Sequence, residues 1–75
     1  MPRQAFPIDQ FFKLVGIETI RHPLWKYGQV MYMVLFDNWP SIAQEIMGDE
    51  NFDPFYYNDG PVIDRLTIWL INTEI

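Results

Sequence analysis

Apolar residues fall at Ile8, Phe11, Phe12 and Val15, the i, i+3, i+4, i+7 spacing that gathers them on one face of a helix. Asp9 sits in the first turn of that helix, where a carboxylate suits the positive end of the helix dipole. Gly16 is expected to end or loosen it. The following Ile17-Glu18-Thr19-Ile20 reads equally as another helical turn or as extended chain. Residues 1–7 hold two prolines and are expected to form an extended arm.

A second helix is expected over Leu24–Phe36, with Pro23 at its first position, where the missing N–H is not needed. Leu24, Tyr27, Gly28, Met31, Val34 and Leu35 recur at helical spacing through to Asp37-Asn38. The chain is apolar on nearly all sides between Val30 and Phe36, which marks this helix as the central, most buried one. A fully buried β-strand competes for the same residues. Gly28 costs a helix interior ~1 kcal/mol relative to alanine, which implies that another backbone or a ring passes close by.

Trp39-Pro40-Ser41 opens a third, short helix with Ile42, Ala43, Ile46 and Met47 facing inward. Gly48 suits the left-handed position that closes a helix. From Gly48 to Gly60 the chain packs four carboxylates and four aromatic rings into thirteen residues. Asn58-Asp59-Gly60-Pro61 is turn chemistry leading into a last helix. There Val62, Leu66, Trp69, Leu70 and Thr73 share one face, and Ile63, Ile68 and Ile71 widen the apolar surface. Neither an internal repeat nor a linker is visible. The expected fold is all-α, a single domain over residues 1–75: a small bundle of about four short helices with the acidic aromatic loop between the last two.

Composition sharpens this picture. A chain of 75 residues without cysteine has no disulfide and no Cys-based zinc site to stabilise it, so apolar packing must do so. Hydrophobic residues make up 49%, with three Trp, four Tyr and six Phe. Each ring buries ~150–250 Å², so a few suffice for the core and the rest are free to form a contact surface.

The net charge is −5, and its distribution says more. Arg3, Lys13, Arg21 and Lys26 lie early, and the only later basic residue is Arg65. Between Tyr27 and Asp64 seven acids (Asp37, Glu45, Asp49, Glu50, Asp53, Asp59 and Asp64) stand without a Lys or Arg. A chain so arranged has no basic patch to displace counterions from nucleic-acid phosphates, which argues against direct DNA or RNA binding. It steers instead toward basic partners. The plainer reading is that the acids keep a very apolar small protein soluble. No run approaches the ~18 apolar residues of a membrane span, and the opening Met-Pro-Arg-Gln-Ala-Phe-Pro matches neither a signal nor a transit peptide. A soluble, cytoplasmic protein without membrane contact is expected.

Chemistry on this sequence is sparse. Asp49-Glu50-Asn51-Phe52-Asp53 resembles the start of a calcium loop, but Pro54 stands where that loop needs glycine and Gly60 where it needs glutamate. His22 is the lone histidine, precedes a proline, and reads as the residue leading into the second helix. With no second histidine, no phosphate-binding loop and no nucleophile motif, neither a metal site nor a triad is expected. So small a domain is also expected to leave little room for a pocket of ~300 Å³ or more. Trp25, Tyr32, Phe36 and Trp39 are assigned to the core. The adjacent rings Phe55-Tyr56-Tyr57 cannot all point one way, so at least one is expected to cover the helices and at least one to face solvent or a partner. The expectation is a protein that is not an enzyme and needs no cofactor or metal.

The Lys26-Tyr27-Gly28-Gln29 segment and the Ile46-Met47-Gly48 … Phe52-Asp53-Pro54-Phe55-Tyr56 block resemble a family of short, uncharacterised proteins of bacteria, phages and mobile elements. The similarity runs from about residue 24 to 70, with Pro40-Ser41-Ile42-Ala43 and Trp69 filling further elements of the shared form. Met33 and Asp49 depart from it, where the family often has asparagine and threonine. The resemblance implies a mobile-element setting, in which small acidic proteins block host defence or transcription machines by occupying basic surfaces. The functional expectation is a phage or mobile-element inhibitor of a host nucleic-acid-handling machine, of anti-CRISPR or anti-restriction type. Its contact residues would be Asp49, Glu50, Asp53, Phe55, Tyr56, Tyr57 and Asp59, and its partner a protein with a basic surface. The alternatives are an adaptor or self-associating protein, a homodimer included, a divalent-ion-dependent module built on the acidic loop, and a loop that serves only as a structural lid, with Pro54 and Phe55 plugging the gap between the third and fourth helices.

Overall fold

The computed structural model describes residues 4–75; the expected arm's first three residues, Arg3 among them, lie outside the described residues. Four helices follow one another: α1 (Ile8–Arg21), α2 (Tyr27–Asn38), α3 (Pro40–Ile46) and α4 (Gly60–Ile71). The all-α expectation holds, and Val30–Phe36 is helix, not strand.

α1 buries Phe11 and Val15 and carries Asp9 in its first turn and Arg21 in its last, both favourable to its dipole. It runs straight through Gly16, contrary to expectation. Gly16 is exposed, with nothing within 4 Å of where a side chain would start, so only its modest propensity cost opposes the helix. Packing of Phe11 and Val15 overrides that cost. The helix ends where Pro23 forces it to, because the residue before a proline is pushed out of the helical region. His22 accordingly sits at φ −127° and ψ 68°, donating its N–H to the Glu18 carbonyl. It closes α1 and does not lead into α2. Pro23 and Leu24 form a turn, with the Trp25 N–H on the His22 carbonyl at 3.0 Å, and α2 starts at Tyr27, three residues later than expected.

α2 is the centre, with Gly28, Val30, Met31, Tyr32, Val34 and Leu35 buried. Both α1 and α3 pack against it, which is why its sequence is apolar on more than one side. α3 buries Ile42, Ala43 and Ile46. Met47, expected inward, is instead 60% exposed: it lies just past the helix in a non-helical conformation that turns its side chain away. Gly48 takes the left-handed φ of +77° expected of it. α4 contributes Val62, Leu66 and Leu70 to the interior. Thr73 lies beyond its last turn, its hydroxyl on the Trp69 carbonyl at 2.6 Å.

The arm is extended over its described residues, but it is also part of the core. Phe6 donates its N–H to the Thr73 carbonyl at 2.9 Å, and Ile75 donates to the Gln4 carbonyl at 2.8 Å. This short antiparallel pairing ties the arm to the segment after α4. The Phe6 ring is buried against Phe11 and Trp39, at 5.8 and 4.8 Å between ring centres.

Candidate functional site

The loop between α3 and α4 has an inner and an outer half. On the inner side, Asp53 is fully buried. One carboxylate oxygen accepts the Gly48 N–H at 2.6 Å and the other the Phe55 N–H at 2.9 Å. A buried carboxylate is tolerated only when so satisfied. Asp53 therefore holds the loop's own backbone and does not reach a partner, which removes it from the expected contact set. Asp49 accepts the Asn51 N–H at 2.8 Å, and Asp59 caps α4 by accepting the Val62 N–H at 2.9 Å. Three of the four loop carboxylates thus bind backbone N–H groups within the loop or at its junction with α4. Glu50 stands exposed.

The same half docks onto α2. Asn58 accepts the Gly28 N–H through its side-chain oxygen at 2.7 Å. A Cβ at Gly28 would collide with that oxygen and with the Pro54 carbonyl, so the close approach expected at Gly28 is present. Phe52 packs on Trp69 of α4 at 5.9 Å, and Phe55 meets Tyr32 of α2 edge-on at 5.7 Å. The loop therefore bridges α2 and α4, with Pro54 buried between its neighbours as a structural lid requires.

The outer half builds a groove. Tyr32, Met33 and Phe36 from α2, Met47 after α3, and Phe55 and Tyr56 from the loop line a hollow of about 240 Å³. Phe36, Met47 and Tyr56 are 51%, 60% and 69% exposed, well above what a core assignment of Phe36 allows. Tyr56 stands edge-on to Phe55 at 5.2 Å. Tyr57 is exposed and lies outside the groove lining. The core assignment holds for Tyr32, partly for Trp39, and not for Trp25, which stacks on His22 at 3.8 Å. Met33, Phe36 and Met47 were not among the expected contact residues. The apolar surplus of α2 was the sequence signal for the first two.

The Tyr32 phenol is held above its ordinary value of 10.0, first by burial, then by the negative charge of Asp53 and by Tyr56. Tyr27 is raised by burial alone. Two further open hollows, of about 440 and 370 Å³, lie beside Trp39 and beside Trp69, so the expectation of little room for such volumes does not hold. Among the described residues, no three His, Asp or Glu side chains come together as a metal site would require, and no helix is long and apolar enough to cross a membrane.

No protein-family model, curated protein or solved structure matches the chain.

Proposed function

We propose that the chain is a small acidic protein-binding module, without catalytic chemistry of its own, that seats apolar side chains of a basic partner in the groove between α2 and the loop. The observation carrying this reading is the exposure of Phe36, Met47 and Tyr56 around one hollow, in a stretch that has no Lys or Arg from Tyr27 to Asp64. Asp37 directly follows Phe36, and Asp49 and Glu50 follow Met47 across one glycine. Aromatic rings and methionines adapt to a partner's apolar anchors, and flanking acids favour a cationic surround and disfavour an anionic one. From the loop, Phe55, Tyr56, Tyr57 and Glu50 remain contact residues, with Asp49 and Asp59 contributing charge while holding backbone.

Surfaces dense in Lys and Arg are those that bind nucleic acid. The partner is therefore a nucleic-acid-handling protein whose basic surface the module occupies, in the manner of a phage-encoded anti-CRISPR or anti-restriction inhibitor acting in the host cytoplasm. The test is capture from a nuclease-treated bacterial lysate on the immobilised chain, run beside a Phe36→Asp variant. The expected partner is basic, is released by rising salt, is displaced by added DNA or RNA, and is absent from the variant. Capture that persists at high salt and on Phe36→Asp contradicts the proposal.

A further inference from the structure

A second apolar face lies on the outer side of α4. Its apolar residues extend beyond the inner side, a wider apolar surface than one packed face needs. The chain itself buries only the side of Val62, Leu66 and Leu70. Ile68 and Ile71 are left 62% and 53% exposed, and Ile75 beyond them 48%. Beside Ile68 is the hollow of about 370 Å³ lined by Phe52, Arg65, Ile68, Trp69 and Asn72.

Charge decides what covers this face. A chain of net charge −5 repels its own copies, and most strongly through its cation-free stretch. α4 carries Arg65, the only basic residue after Lys26, next to Asp64. Asp64 and Arg65 thus give this helix both signs of charge, so two copies meet here with less repulsion than through the cation-free stretch. We infer that a second copy of this chain covers it, through antiparallel pairing of the two α4 helices about a two-fold axis. With the axis between Trp69 and Leu70, residue numbers on facing positions sum to a constant. Ile68 of each copy then meets Ile71 of the other beside the hollow, and Arg65 lies toward the segment after α4 that carries Glu74 of the second copy. Such an interface is self-complementary, as two-fold symmetry requires. With one short helix per copy it falls in the small, reversible class below ~1,200 Å² in total, so the dimer depends on concentration. This goes beyond the groove reading and does not rest on it.

Sedimentation equilibrium of the full chain across the micromolar to millimolar range tests the inference. The expected result is a monomer–dimer equilibrium that Ile68→Glu weakens at least tenfold with the circular dichroism spectrum unchanged. Arg65→Glu alone weakens it as well, and Arg65→Glu combined with Glu74→Arg restores it. This rescue separates pairing from any loosening of the Arg65 contact to the Asn51 carbonyl, at 3.0 Å. A monomer at every concentration overturns the inference. So does a dimer indifferent to both Ile68→Glu and Ile71→Glu, or one lost only on Phe36→Glu.

Discussion

The groove beside α2 and the outer face of α4 expose the same kind of surface, large apolar side chains around a hollow, yet their charge settings differ. The groove is flanked in sequence by Asp37, Asp49 and Glu50 and lies in the stretch from Tyr27 to Asp64 that contains no cation. The α4 face carries Asp64 and Arg65 side by side. On the two proposals above, exposed apolar area makes both surfaces candidates for contact, but it does not select the occupant. Charge does: an unbalanced acidic surround favours a basic foreign partner, and a balanced one permits a second copy. Added salt should therefore weaken partner binding, because rim charges are screened over ~8 Å at physiological ionic strength. Self-association across α4 should respond less, because screening relieves the net repulsion while it weakens the Arg65–Glu74 attraction.

The loop's inner half is framework and its outer half is the proposed face, and substitutions separate the two. Asp53→Ala removes the acceptor for both Gly48 and Phe55 N–H groups. Leaving such donors unpaired costs ~1–3 kcal/mol each, so a total loss of about 3 kcal/mol is expected in urea denaturation. Glu50→Ala should stay within ~0.5 kcal/mol. Equal effects from the two would erase the division. Gly28→Ala drives a Cβ into the Pro54 carbonyl and the Asn58 side chain, and overpacking of this kind costs about 2 kcal/mol, measured the same way. Tyr56→Ala should cost about 2 kcal/mol of partner binding, read by calorimetry, with native stability nearly unchanged. Asp59→Ala, which strips the α4 cap, should cost about 1 kcal/mol of stability.

The smallest effect is a pH effect. The folded-state pKa of Tyr32 lies above its unfolded value, so above pH ~10 the unfolded chain ionises first. Stability is then intact below the unfolded pKa and is lost as pH rises through the folded one. Denaturation midpoints measured from pH 8 to 11 should fall less steeply in Tyr32→Phe than in the native chain. Identical slopes would mean that neither burial nor the charge of Asp53 raises the Tyr32 phenol in the folded chain.

Much of the fold was legible because the core obeys helical periodicity: Phe11, Val15, Met31, Leu35, Leu66 and Leu70 all sit on the faces their spacing assigns. Gly28 announced its close neighbour because a glycine in an apolar helix needs a reason. Pro23 misled, since a proline that opens one helix and a proline that ends another differ only in what precedes them. Local sequence does not show which carboxylate turns inward to meet backbone N–H groups, and Asp53 is the one that does. Phe6 was missed for a related reason: its burial depends on pairing with Thr73, far along the chain. Of the site, the rings of the loop were visible. Met33, Phe36 and Met47 were not, because only the folded chain brings α2 and the residue after α3 beside Phe55 and Tyr56.

The methionines offer the most direct test of the groove as the contact face. Met33 and Met47 line it, while Met31 is fully buried in the core. With ¹³C-methyl methionine labelling, the chain is titrated with the basic partner that the lysate capture identifies. The account predicts large shifts for the Met33 and Met47 methyls and little movement of Met31. Binding that leaves Met33 and Met47 unmoved would contradict it.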